Sequence, residues 1–239
     1  MAFRLAIFKH DPECSVECCD GMISALSSDY SIDVFSFDQF DTVVRSDYTC
    51  IMFPGGLGDS HNHYKFFTRR QGNILAEYVN SGGKYMGICM GAYWAGPWYF
   101  DLLDNIDVVQ YIKRPNADVR RSYPTVAKIT WDNEEHNMFF YDGCTYVGDV
   151  SDQDVVARYS NGDPMAIIKQ NVGLIGCHPE SELSWYNKNY MRKFWHNYDH
   201  HKLLVNFVGR SNCVIPSHEG MSPVKAALLK RINQFRETL

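Results

Sequence analysis

Three stretches combine residue types that do acyl-transfer chemistry: Pro54-Gly55-Gly56, Gly87-Ile88-Cys89-Met90-Gly91 and His178-Pro179-Glu180. Cysteine with glycine two residues before and two after has the pattern of a nucleophile elbow, where a strand turns sharply into a helix. The turn strains the nucleophile's backbone and leaves no room for neighbouring Cβ atoms, hence the glycines. A thiol at such a helix start faces unpaired N–H groups and the positive end of the helix dipole, and both favour the thiolate. Taken alone, the pattern more often marks a buried cysteine in a glycine-rich turn. A cysteine nucleophile also needs a base, and a carboxylate to hold that base in one tautomer. In an extended segment residues i and i+2 share a side, so Glu180 can hold one nitrogen of His178 while the other faces Cys89. Pro179 stiffens the segment between them.

Strands must deliver these stretches. Phe3 to Phe8, Ile32 to Phe37, Cys50 to Phe53 and Tyr85 to Ile88 are short apolar runs. Cys50 to Phe53 is apolar on both faces, as central parallel strands tend to be. Helical spacing over residues 15–28 and 69–80 alternates with them, and this βαβ pattern predicts a central, mostly parallel sheet flanked by helices. In open α/β sheets ligands bind beyond the carboxyl ends of the strands, where both glycine motifs fall. From Asp101 to Asp149 helical periodicity is poor, and the region reads as strands and loops at one edge of the sheet. Asp154 to Tyr159, Met165 to Lys169 and Val172 to Cys177 read as successive antiparallel strands that bring His178 to a strand end. Tyr190, Met191, Phe194, Trp195 and Tyr198 have helical spacing, as do Leu203, Leu204, Phe207 and Val208. Residues 210–221 read as a linker, and Ser222-Pro223 starts a last helix that packs on the domain or on a partner. The expected organisation is an α/β domain over residues 1–214 and a helical extension over 215–239.

Composition excludes several classes. With 45% hydrophobic and 21% charged residues in 239, the chain can bury a sizeable core. Its 23 Lys+Arg against 28 Asp+Glu give a formal charge of -5 without a basic block, which argues against nucleic acid or an anionic membrane as partner. No apolar run reaches the length of a membrane span, and the N-terminus reads as a first strand, not a signal peptide. Eight cysteines in such a chain point to reduced thiols and a cytoplasmic location. Cys14, Cys18 and Cys19 lack the spacing of a zinc knuckle and read as core or half-buried thiols. His196, His200 and His201 read as part of an aromatic helix, so no metal and no cofactor is expected.

The three ordered motifs resemble class I glutamine amidotransferases over roughly residues 3 to 180. A closer resemblance is to the N-terminal amidotransferase-like domain of eukaryotic-type biotin-protein ligases and its free-standing relatives, whose pattern Tyr78-Val79 through Tyr93 reproduces closely. The resemblance implies a flavodoxin-like three-layer α/β fold with an antiparallel edge and a C-terminal helix. It implies a catalytic triad of Cys89, His178 and Glu180 and an oxyanion hole of Gly55, Gly56 and Met90. No biotin-ligase catalytic domain is found, so the chain alone is not expected to biotinylate anything. Ala92-Tyr93-Trp94 stands where glutamine-using amidotransferases carry a glutamine, which puts glutamine as substrate in doubt. Met90 stands where the peptidase branch of the superfamily has histidine.

The expected function is attack on a carboxamide or related acyl group through a thioester. A separate synthetase or acceptor protein is the expected partner if the released amine is used. The competing reading is a catalytically quiet binding or regulatory module that keeps the fold. His61, His63 and Tyr64 after the first glycine loop, and Tyr93 and Trp94 after the elbow, are candidate substrate-pocket residues; for each, solvated loop or ordinary core is the plainer reading.

Overall fold

The computed structural model describes residues 3–9, 16–56 and 58–213. The helix expected from Ser222, the extension over 215–239 and Cys14 lie outside the described residues. Eleven strands form among those described: β1 (Arg4–Phe8), β2 (Ser31–Phe35), β3 (Cys50–Phe53), β4 (Lys84–Ile88), β5 (Ile106–Gln110), β6 (Thr125–Trp131), β7 (Glu134–Phe140), β8 (Cys144–Gly148), β9 (Val155–Tyr159), β10 (Pro164–Lys169) and β11 (Val172–Ile175). Nine of them make one sheet in the order β2-β1-β3-β4-β11-β10-β9-β6-β7, while β5 and β8 pair separately. The half from β2 to β11 is parallel. The half from β10 to β7 is the antiparallel edge.

The helices are α1 (Val16–Leu26), α2 (Phe40–Val44), α3 (His63–Phe66), α4 (Arg69–Asn80), α5 (Met90–Trp94) and α6 (Asp199–Cys213). Side-chain alternation sorts them onto two faces. Leu5 and Ile7 of β1 share one core with Met22 and Leu26 of α1 and Leu204 and Phe207 of α6. Ala6 and Phe8 share the other with Leu75 and Val79 of α4 and Trp94 of α5. Phe8, Phe53, Phe67 and Trp94 meet edge-on or tilted in that second core. Burial of such a side chain is worth about 1.5–3 kcal/mol. The result is a helix–sheet–helix sandwich.

α4 starts at a capping box of Thr68 and Gln71 and ends at Gly82, whose φ of +108° suits glycine. The β2-β1-β3-β4 order is that of flavodoxin-like sheets, which reverse direction between β1 and β3 and open a crevice there. Gly55, Cys89 and His178 stand just beyond β3, β4 and β11.

Three expectations are corrected here. Residues 190–198 form no α-helix: the chain makes a short 3₁₀ turn, Arg192–Phe194, and then takes positive φ at Asn197 and Tyr198, which breaks helical geometry. The aromatic spacing reflects a separate cluster in which Trp185, Phe194 and Trp195 pack around Phe139, Tyr186 and Met191. The region 101–149 does not lie wholly at the sheet edge, because β5 and β8 leave the main sheet and pack beside α5 and β10. Residues 210–213, expected as linker, continue α6.

Candidate functional site

The turn from β4 into α5 carries the strain that its sequence predicts. Cys89 sits at φ +49° and ψ -102°, a conformation rare for any residue but glycine. The glycines around it are sterically required. A Cβ on Gly87 would lie 2.4 Å from the Gly91 carbonyl, and one on Gly91 would lie 2.1 Å from the Phe53 oxygen. Backbone bonds fix the turn: Cys89 N–H donates to Ile175 at 2.8 Å and Gly91 N–H to Pro54 at 3.1 Å. The Tyr85 hydroxyl donates to the Gly91 carbonyl at 2.6 Å. The helix that follows is only five residues long, so the dipole expected to favour a thiolate is small.

His178 and Glu180 stand beyond β11. Glu180 Oε1 lies 2.8 Å from His178 Nδ1, with both side chains buried. His178 N–H donates to Phe139 at 2.9 Å, and its ring meets Phe139 and Trp185 edge-on. Cys89 and Cys18 both lie close enough to the imidazole to favour its protonated form. Cys18, on α1, was read from sequence as a core thiol, and it is buried. Gly21, one turn further on, admits Glu180: a Cβ there would lie 2.5 Å from the Glu180 carbonyl. Gly55 underlies the imidazole, because its Cβ would fall 2.6 Å from His178 Cε1 and 2.9 Å from Cys18 Sγ.

Cys89 opens onto a cleft of about 870 Å³. Gly56 and Met90 line it together with the thiol, and Tyr141 and Asp142 form another part of its wall. Cys89 Sγ lies 3.6 Å from the Tyr141 carbonyl. Tyr141 and Asp142 carry no motif and are near Cys89 only because Gly143 and Gly176 pack without Cβ atoms, each against the other segment's backbone. Among the expected pocket residues, His61 and Tyr93 line the cleft. The Tyr93 hydroxyl donates to the Asp142 and Gly143 carbonyls at 3.2 and 3.3 Å and so ties the far wall to α5. Trp94 is buried, with its indole N–H donating to Ser60, and His63 is buried beside it. Tyr64 lies outside on the surface, its hydroxyl donating to the Trp98 carbonyl.

With this geometry in place, likenesses to known proteins take on meaning. Residues 10–105 match the family described as biotin-protein ligase, N terminal. In structure, a glutamine amidotransferase from Thermotoga maritima has a TM-score of 0.60 at 13% identity, covering 88% of this chain and 98% of that one. A second glutamine amidotransferase has a TM-score of 0.56 at 13% identity, over 87% and 98% of the two chains. The fold is class I glutamine amidotransferase-like. The N-terminal domain of mmIFT52 is also similar, with a TM-score of 0.54 at 12% identity over 90% of this chain and 99% of that one. No curated protein sequence matches the chain.

Around Cys89 the electrostatics centre on His178. Burial pushes its imidazole toward the neutral form, but the Glu180 carboxylate and the nearby sulfurs of Cys89 and Cys18 outweigh it, holding it protonated well above its ordinary range. Burial instead pushes the thiols of Cys19 and Cys50 up to about 12 and raises those of Cys144 and Cys177. These four are inert by comparison. A thiol beside an imidazolium tied to a carboxylate can act as a nucleophile.

Away from Cys89, both ring nitrogens of His63 are buried without a hydrogen-bond partner among the described residues, inside a ring of Phe67, Trp94, Tyr99 and Phe100. Burial lowers its imidazole to about 4. Between pH ~6.5 and that value the unfolded chain binds a proton that the folded chain refuses, so acid erodes stability through His63. His63→Phe is therefore expected to stabilise the fold by about 1–3 kcal/mol at pH 7 and to flatten the loss below pH ~6.5. Urea unfolding between pH 4 and pH 7 measures both effects; equal slopes in the two proteins would reject the assignment.

Proposed function

We propose that the protein is a cysteine-dependent amidohydrolase or amidotransferase-like enzyme that attacks a carboxamide or related acyl group through Cys89, His178 and Glu180. One observation carries the reading: Cys89, held in a strained left-handed turn, faces a cleft and lies beside an imidazole tied to a buried carboxylate. The Cys89 thiolate forms a C–S bond to the carbonyl carbon, and the Met90 and Gly56 N–H groups hold the oxyanion. Gly56 is the better second donor because it lines the cleft, while Gly55 is buried under the imidazole. His178 gives its proton to the leaving amine, the C–N bond breaks, and a thioester remains. His178, now neutral, takes a proton from water, which hydrolyses the thioester and restores the thiol. Glu180 keeps the imidazole in one orientation throughout. The polar lining, with Asp59, His61, Gln110 and Lys113, favours a polar substrate. A separate synthetase or acceptor would take up the amine.

The test reads each cysteine by mass spectrometry during iodoacetamide alkylation at several pH values. Cys89 is expected to react about tenfold or more faster than buried Cys19, Cys50, Cys144 and Cys177, and His178→Ala to slow it by a similar factor at pH 7. A Cys89 as slow as the buried thiols would instead favour a binding or regulatory module without turnover. A fold shared with glutamine amidotransferases does not by itself fix an activity.

A further inference from the structure

Cys18 has no task in the acyl chemistry, yet it lies beside the residues that perform it. Its Sγ, a ring nitrogen of His178 and a carboxylate oxygen of Glu180 all lie within 4.8 Å of one another, and all three residues are buried. Glu180 uses Oε1 on His178, while its Oε2 is buried with no hydrogen-bond partner among the described residues. A buried carboxylate oxygen without a partner is costly, and a cation satisfies it.

We propose that Cys18, His178 and Glu180 form a binding site for a zinc-class divalent cation. The donor set decides the class. Thiolate and imidazole select a borderline-soft ion, whereas Mg²⁺ and Ca²⁺ take oxygen ligands. Zinc bond lengths of about 2.0–2.3 Å place donors roughly 3.5 Å apart in a tetrahedron, so the widest separation here closes by about an ångström on binding. The Cys18 proton and one imidazolium proton of His178 go to solvent, and the thiolate and carboxylate together neutralise the cation in a dry site. Helix α1 is fixed close enough for this because Gly21 lets Glu180 against it and Gly55 leaves space for Cys18 beside the imidazole. A consequence rests on the function proposed above. A cation on His178 and Glu180 withdraws the base from Cys89, so zinc acts as an inhibitor of this site.

The test is Zn²⁺ binding to the full, reduced chain by competition with a chromophoric chelator, with Co²⁺ as a spectroscopic stand-in. The expected result is one Zn²⁺ per chain, weakened about tenfold or more in Cys18→Ser and changed little in Cys89→Ser. The Co²⁺ complex should show a thiolate charge-transfer band that Cys89→Ser keeps and Cys18→Ser loses. Glu180→Gln, of the same shape, should weaken Zn²⁺ while keeping that band, so the proposal remains testable if Cys18→Ser folds poorly. Unchanged affinity in Cys18→Ser, or a band lost in Cys89→Ser and kept in Cys18→Ser, overturns the proposal. None of these readouts needs turnover, so they separate failure of the metal site from failure of the enzyme reading. Bound Zn²⁺ should slow Cys89 alkylation in the wild type and not in Cys18→Ser; an unchanged wild-type rate overturns the inhibitory role.

Discussion

Cys89→Ala is expected to abolish acyl-enzyme formation, with a rate loss of about 10⁴-fold or more, and to leave the fold intact. Removing the nucleophile of a triad leaves only binding and oxyanion stabilisation, which is why the loss is nearly the whole catalytic effect. The readout needs no knowledge of the natural substrate. p-Nitrophenyl acetate acylates an activated thiol and releases nitrophenolate, so the wild type should give a burst of one equivalent, with the acetyl group on Cys89 by mass spectrometry. Cys89→Ala should give no burst. Alanine removes only a sulfur atom from a site already shaped by Gly87 and Gly91, and stability should change by less than about 1 kcal/mol. Serine at the same position tests the pairing with His178, because a hydroxyl keeps the place beside the imidazole and loses the thiol's nucleophilicity. A burst that survives in Cys89→Ala would move the chemistry to another cysteine and remove the elbow from the reaction.

The parts of this site legible in the sequence are those whose physics is local. The elbow can be read because backbone reversal over five residues forces glycine at fixed offsets, and the Gly87 and Gly91 contacts are those a Cβ would violate. His178 and Glu180 can be read because an extended segment sets i and i+2 on one side, and their bond of 2.8 Å follows. The parallel strands could be read for the same reason, since Cys50–Phe53 is buried on both faces. Cys18 could not. Its place beside His178 is a contact across 160 positions, made by the packing of α1 on the sheet, and no spacing within 14–19 encodes it. The signal that existed was Gly21 on the buried face of that helix, where glycine costs about 1 kcal/mol against alanine and calls for a packing reason. Tyr141 and Asp142 were hidden likewise, because β5 and β8 form their own small sheet. His61 and His63 look alike in sequence, and a short turn sends one to the cleft and the other into an aromatic cage.

Gly55→Ala and Gly56→Val should both lower acylation strongly, but for different reasons that one experiment separates. An alanine Cβ at position 55 would lie 2.6 Å from His178 Cε1, so the imidazole or the loop must shift. Misplacing a catalytic group by about 1 Å costs around 10²-fold. Because the displaced group is the base, the pH dependence of acylation should change with the rate. Gly56 and Met90 both line the cleft, so a valine at position 56 should obstruct the oxyanion position. Loss of one oxyanion donor costs about 10²–10³-fold, with the pH profile retained because Cys89, His178 and Glu180 keep their places. Burst rates with p-nitrophenyl acetate between pH 5 and pH 9 distinguish the two. If Gly56→Val shifted the profile and Gly55→Ala did not, the assignments of the two glycines would exchange. If neither slowed the burst, the loop after β3 would have no part in the reaction, and the oxyanion would need donors elsewhere around the cleft.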